Sequence, residues 1–142
     1  MNGNTELLNF VYQNAQMGTV TINQLAGIID DSNFKNHLEA QLQGYRDMEH
    51  DAEKLLEMNG CDEKGLSAFE KMRTYLMIDL QTLTDKSAAH EAEMMMIGSN
   101  MGVINAIKNL RKYEGAEKDI KELMERLQRF EERNIEQLKK FL

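Results

Sequence analysis

The feature that most constrains the fold is the complete absence of proline from a chain of 142 residues. Proline breaks helix interiors, and its absence removes the commonest interruption of long helices. Almost every stretch longer than a turn also repeats its apolar residues at the three-to-four-residue spacing of an amphipathic helix. The sequence therefore predicts an all-α protein built as a bundle of long helices.

Composition narrows the class of protein. The length suits a single domain covering residues 1–142, and 42% hydrophobic with 29% charged residues is typical of a folded soluble chain. A net charge of -7 argues against nucleic acid or an anionic membrane as partner. No apolar run approaches a membrane span, and no secretory signal is visible. A single cysteine cannot form an internal disulfide, so we expect a cytoplasmic protein.

Turn and capping signals divide the chain into helices. The first is predicted from about Thr5 to Ile29 with Asn4 as its N-cap, and the second from Asp31 or Ser32 to about Met58. Asn59-Gly60 ends the second helix, and a shorter helix is predicted at about Ser67 to Leu83. The stretch Thr84-Asp85-Lys86-Ser87 is interpreted as the capped start of a third long helix, which extends to about Tyr113. Gly115 separates it from the last helix, about Glu117 to Phe141.

The connections between these helices predict their order. Short turns join the first helix to the second and the third long helix to the last, so each of these pairs should be antiparallel. The link of about residues 59–86 is far too long for a hairpin but long enough to return along the whole bundle. The second and third long helices should then be parallel, which gives an up-down-down-up bundle with a short helix in the crossover.

Two segments carry a resemblance to a known class of protein. They are TLTDKSAAHEAEMMMIGSNMGVINA, Thr82 to Ala106, and YQNAQMG, Tyr12 to Gly18. Together with the helix order, they resemble the ferritin-like superfamily, and in particular its small uncharacterised bacterial four-helix-bundle members. The resemblance covers the full chain in architecture. It implies a ferritin-like fold whose mid-bundle level is the place where such proteins hold a di-metal centre.

Polar residues interrupt the apolar stripes, and several are predicted to meet inside the bundle. The interrupting residues are Asn14, Thr21, Gln41, Tyr45, Glu93, Asn100, Glu131 and Asn134. Counting residues from each turn brings five of them within about one helical turn of a common level. We expect these five to form a polar core layer of mutually satisfied side chains, Thr21, Gln41, Asn100, Glu131 and Asn134.

A ferritin-type di-metal centre needs one Glu from each of two helices and a Glu-x-x-His from each of the other two. This chain departs from that pattern on every helix. In the last helix, Glu131 is followed one turn later by Asn134, and Glu93 of the third long helix is followed by Met96. Amides and thioethers are poor substitutes for carboxylate and imidazole ligands to hard cations. We therefore expect no cofactor, with Fe, Mn or Zn as the alternative.

A second, smaller metal site is also conceivable from the sequence. His90 and Glu93 lie one turn apart on the third long helix, and His37 is placed at a similar height on the second. Two histidines and a carboxylate could hold one ion. The competing interpretation is that both histidines are boundary residues at the end of the bundle. The metal candidates are thus His37, His90, Glu93 and Glu131, weighed against no metal at all.

Small and apolar residues complete the interpretation. Gly98 and Gly102 have a spacing that lets another helix approach closely, near Gly18 or Gly44. The eleven methionines are interpreted as core filler rather than as a soft-metal or adaptable binding surface. The third long helix is apolar around most of its circumference. With the off-stripe residues Tyr75, Met77 and Ile78, it predicts a homodimer patch.

The function expected from these observations is a non-enzymatic interaction or assembly protein that forms a homo-oligomer. The alternative is a metal-binding or di-metal oxidase-like protein with a divergent site.

Overall fold

Four long helices form the chain wherever the computed structural model describes it, which is residues 2–61 and 87–142. A single 3-10 turn, Lys139–Phe141, follows the last of them. Within these two ranges no strand is present. The prediction of an all-α protein is confirmed for this part of the chain. The helices are α1 (Asn4–Ala26), α2 (Ser32–Met58), α3 (Ala88–Lys112) and α4 (Lys118–Leu138).

Two helix starts have the side-chain caps that the sequence predicts. The Asp31 carboxylate accepts a hydrogen bond from the Phe34 backbone N–H (2.9 Å) at the start of α2. The Ser87 hydroxyl accepts one from the His90 backbone N–H (3.2 Å) at the start of α3. Both bonds satisfy an N–H group that the first turn of a helix leaves without an intrahelical partner.

Helix α1 differs from the prediction at both ends. Its N-cap is Gly3, which has the left-handed φ of 86° that favours glycine, and Asn4 is the first helical residue. Instead of capping α1, the Asn4 side chain accepts a hydrogen bond from the backbone N–H of Glu117, at 2.9 Å. The carboxyl end comes at Ala26, three residues before Ile29, because Gly27 and the residues after it form the turn to α2.

The helices pack as two pairs around one core. Helix α1 packs chiefly on α2, and α3 packs chiefly on α4, while α1 and α2 both contact α4. One continuous cluster of buried apolar side chains joins the pairs. At one end of the bundle the Phe34 ring lies 4.8 Å from the ring of Phe141, centroid to centroid. These pairs place the inward faces of all four helices around a common interior.

Two further expectations concern the chain beyond this core. No helix in residues 2–61 and 87–142 is both long enough and apolar enough to cross a lipid bilayer. The predicted crossover helix, about Ser67 to Leu83, lies outside the described residues. So do the patch residues Tyr75, Met77 and Ile78.

Candidate functional site

The most unusual group in the interior is the carboxylate of Glu131 in α4, which is only 2% exposed. Its Oε1 atom accepts a short hydrogen bond from the Tyr45 hydroxyl. The same atom accepts hydrogen bonds from Asn134 Nδ2 (3.0 Å) and Ser99 Oγ (3.3 Å), and its Oε2 atom accepts one from Asn14 Nδ2 (3.3 Å). We call these five residues the Glu131 cluster.

Each helix contributes to this cluster. Asn14 comes from α1, Tyr45 from α2 and Ser99 from α3, while Asn134 lies one turn after Glu131 on α4. A buried carboxylate is costly unless donors surround it, so the position of each donor is constrained by the others. The cluster therefore fixes the register of four helices at one level.

Glycines make this close approach possible. A Cβ atom built on Gly102 of α3 would lie 2.9 Å from Glu131 Oε2 and 3.1 Å from Asn14 Oδ1. One built on Gly18 of α1 would lie 2.6 Å from the Tyr45 ring. These distances are shorter than side chains tolerate, so glycine is what lets α1 and α3 reach the cluster. The predicted close approach at the Gly98 and Gly102 spacing is found at Gly102 but not at Gly98, where an added Cβ atom would meet no described atom within 4 Å. Gly18 faces Tyr45 of α2, and Gly44 faces Phe130 of α4.

The cluster changes the acidity of its two titratable members. Burial raises the pKa of Glu131 above its ordinary value of 4.5, and the hydrogen bonds from Tyr45, Asn134, Asn14 and Ser99 reduce that increase without cancelling it. Burial, followed by the adjacent Glu131 carboxylate, raises the pKa of Tyr45 well above 10.0. Glu131 is thus easier to protonate inside the protein than in water, and Tyr45 stays a hydrogen-bond donor.

The structure brings together only part of the expected polar core layer. Glu131 and Asn134 lie in the cluster, as just described. Gln41 is buried, at 2% exposure, but its Nε2 atom lies 2.8 Å from His37 Nε2, one turn away from the cluster along α2. Thr21 is partly exposed. The expected layer was placed by counting residues from each turn. Because α1 ends three residues earlier than predicted, the α1 residues at the level of the layer differ from the expected ones.

Asn100 is the clear error in the expected layer, because it is exposed and its neighbour Ser99 is buried. Helix α3 is turned by about 100°, one residue, relative to the predicted orientation. Glu93, which was expected to interrupt the apolar stripe, is exposed, while Glu91 is buried. The predicted stripe followed hydropathy, whereas the inward face of α3 consists mainly of small residues.

Asn14 and Tyr45 stood on the predicted stripes but outside the expected layer, and Ser99 was not predicted at all. A signal for Ser99 was present, since it lies between the two small residues Gly98 and Gly102.

A small cavity adjoins the Glu131 cluster. Its volume is about 40 Å³ and it is partly open to solvent. A volume of this size holds roughly three water molecules. Most of its exposed wall is apolar, and four members of the Glu131 cluster are among its lining residues. The lining residues are Asn14, Met17, Gly18, Thr21, Tyr45, Met94, Met95, Gly98, Ser99, Gly102, Asn105 and Glu131.

The metal candidates do not form one group. His37 contacts Gln41 and stands 5.4 Å from the Phe141 ring. His90 Nδ1 lies 4.0 Å from Glu93 Oε2 on the surface of α3. In residues 2–61 and 87–142, no three His, Cys, Asp or Glu side chains converge as metal ligands would. The expected grouping of His37 with His90 and Glu93 is therefore wrong, because His90 and Glu93 adjoin each other without His37.

Comparison with known proteins adds no relative. No family model, no curated protein and no solved structure matches this chain.

Proposed function

We propose that this chain is a non-enzymatic, cytoplasmic interaction or assembly protein that forms a homodimer, built on a ferritin-like bundle without the usual di-metal ligands. The observation that carries this proposal is an exposed apolar stripe on α3. Ile97, Met101 and Ile104 expose 58%, 36% and 44% of their surface. Large side chains repeated on one helix face in this way are typical of a surface that another protein covers.

The ferritin-like order of helices, up-down-down-up, is part of the proposal, and contacts at the helix ends support it. The start of α1 adjoins the start of α4 through the bond from Glu117 N–H to Asn4. The end of α2 adjoins the start of α1, where Cys61 Sγ lies 2.9 Å from Thr5 Oγ1. The end of α3 adjoins the start of α1 as well, because a Cβ atom on Gly3 would lie 2.5 Å from Tyr113.

These three contacts together favour α1 parallel to α4, with α2 and α3 running the other way. A connection between α2 and α3 would then have to pass along the bundle, as in folds with one long crossover.

The chemistry of the Glu131 cluster supports a structural role for it in such a bundle. Amide, hydroxyl and phenol groups are the partners of this carboxylate, and they satisfy it as hydrogen-bond donors. A buried polar group of this kind is well suited to specifying which helices pack at which register.

Mass in solution tests the homodimer. We expect twice the mass of one chain in sedimentation equilibrium at micromolar concentration. Ile97→Glu should shift the protein toward monomer, because it buries a charge in the proposed interface. Ala40→Glu is the matched control, since it adds the same charge at an exposed position of α2. A monomer at all concentrations, or equal effects of the two substitutions, would contradict the proposal.

The second candidate is a metal-binding or di-metal oxidase-like protein, and the buried Glu131 is the observation that favours it. A cation is the ordinary partner of a buried carboxylate in ferritin-like bundles. Elemental analysis of protein purified without chelator tests it. Stoichiometric Fe, Mn or Zn that disappears in Glu131→Gln would favour this candidate over the first. Substoichiometric metal, with no thermal shift on adding these ions, would end it.

A further inference from the structure

The two oxygen atoms of Glu131 are unequally satisfied. Three donors, from Tyr45, Asn134 and Ser99, converge on Oε1, whereas Oε2 accepts a single bond from the described part of the chain, the 3.3 Å bond from Asn14. A carboxylate offers about four acceptor positions shared between its two oxygens. The Oε2 atom is therefore the one with capacity for a further donor.

That oxygen and Asn14 Oδ1 both lie close to the backbone of Gly102. A Cβ atom on Gly102 would stand 2.9 Å from Glu131 Oε2 and 3.1 Å from Asn14 Oδ1, so the glycine is packed against both oxygens. Glu131, Asn14 and Gly102 all line the cavity. A group bound in the cavity beside these two oxygens must donate hydrogen bonds if both are to be satisfied.

The charge balance of the site indicates a cation. None of the ion pairs formed within residues 2–61 and 87–142 includes Glu131. Its four partners are all neutral donors. A buried carboxylate gains more from a positive donor than from a neutral one, because the low-dielectric surroundings strengthen the attraction.

The rest of the cavity wall indicates an organic cation and not a bare ion. Met17, Met94 and Met95 line it, and Gly98, where an added Cβ atom would meet no described atom within 4 Å, leaves further room. Methionine adapts its shape to aliphatic groups. An apolar wall with a few polar groups at one end is the usual composition of a small-molecule site.

We propose that this cavity is a binding site for a short primary alkylammonium ion. The ammonium group donates to Glu131 Oε2 and Asn14 Oδ1, and the alkyl chain lies along the three methionines toward the opening. The volume of about 40 Å³ limits the enclosed part of the ligand to a few heavy atoms.

The experiment uses n-propylammonium as the probe and the methionine methyl resonances of the full-length protein as the readout. The methyl groups of Met17, Met94 and Met95 should shift saturably, with a dissociation constant in the millimolar range. Met58, which is 71% exposed and does not line this cavity, is the internal control and should not shift. Neutral n-propanol, of similar size, should bind at least about tenfold more weakly.

Three variants test separately how the charge of Glu131 and the free volume of the cavity contribute to binding. Glu131→Gln removes the charge and should weaken binding at least about tenfold. Gly98→Leu places a bulky side chain on the cavity wall, at a position where an added Cβ atom meets no described atom within 4 Å, and it should abolish binding by occupying the space of the ligand. Glu132→Gln removes an exposed neighbouring charge and should leave binding unchanged.

The outcomes decide the proposal even if one variant fails to fold, since Glu131→Gln and Gly98→Leu act independently. Saturable binding of n-propylammonium that either variant removes supports it. Equal affinity for n-propanol would show an apolar cavity without a cation site and would overturn it. The absence of saturable shifts in the wild-type protein would overturn it as well.

Discussion

Helices α3 and α4 are packing partners that divide their residues between core and solvent in different ways. Helix α4 buries large apolar side chains and turns charged ones outward. Helix α3 buries mainly small residues and exposes large apolar ones, among them Ile97 and Ile104. The buried residues are Ile120, Leu123, Met124, Leu127, Glu131, Asn134 and Leu138 in α4, and Glu91, Ala92, Met95, Ser99, Gly102 and Ala106 in α3.

The difference shows that two properties can orient a helix. In α4 the hydrophobic effect decides, because the large apolar side chains share one face and every charged residue except Glu131 lies outside it. In α3 almost any face could be buried, so side-chain volume decides. Gly102 allows α3 to approach the Glu131 carboxylate, which a larger residue would prevent. The same rotation leaves the apolar stripe of α3 exposed.

The largest test of this contrast compares one residue from each helix. Leu127→Ala in α4 removes a side chain that is 0% exposed, and we expect a loss of about 2–5 kcal/mol in the free energy of unfolding. Ile104→Ala in α3 removes one that is 44% exposed, and we expect a change within about 0.5 kcal/mol. Urea denaturation at low protein concentration measures both. Comparable losses would mean that the outer face of α3 is part of the core.

The buried face could be predicted from the sequence for α4 but not for α3. The inward positions of Glu131 and Asn134 could be predicted because charged residues mark the other face of α4. For α3 the hydropathy pattern had no clear polar face, and the orientation predicted from it placed Asn100 inside in place of Ser99. When the hydropathy of a helix is similar on all its faces, the sequence does not indicate which face is buried.

The composition of the cluster was harder to predict than the helices that carry it. The presence of the helices and the caps at Asp31 and Ser87 depend on the local sequence. The structure contains the four long helices and both caps. The level at which Asn14 and Tyr45 meet Glu131 depends on where α1 ends and on which glycines allow close approach. These are tertiary properties, and an error of three residues at one turn moves a side chain by about 4.5 Å along the helix axis.

A smaller test compares two glycines of α3. Gly98→Ala should raise the free energy of unfolding by about 0.5–1 kcal/mol, because alanine favours the helix and the new Cβ meets nothing within 4 Å. Gly102→Ala gains the same helix propensity but places its Cβ 2.9 Å from Glu131 Oε2. We expect it to be net destabilising by about 1–2 kcal/mol.

Urea midpoints of the two alanine variants give the sign of each change directly. If Gly102→Ala matched Gly98→Ala, the small residues of α3 would not be what sets its distance from α4.

The smallest expected effect is the dependence of stability on pH, which tests whether α4 truly buries an acid. Burial raises the pKa of Glu131 in the folded protein above 4.5, its ordinary value and the one expected for the unfolded chain. The folded state therefore holds the proton more tightly than the unfolded state. The resulting stabilisation is complete below pH 4.5 and is lost as the pH rises through the folded-state pKa.

Glu131→Gln should remove this contribution, so the difference in unfolding free energy between wild type and variant should change steadily in the variant's favour as the pH rises. Tyr45, the other titratable member of the cluster, does not interfere, because its pKa is raised well above 10.0. Glu132→Gln, at an exposed position of the same helix, should follow the wild-type pH profile. Parallel profiles for wild type and Glu131→Gln would mean that the hydrogen bonds from Tyr45, Asn134, Asn14 and Ser99 offset the whole cost of burial. In that case, ionised Glu131 inside the bundle would cost no more folding free energy than the exposed charged residues of α4.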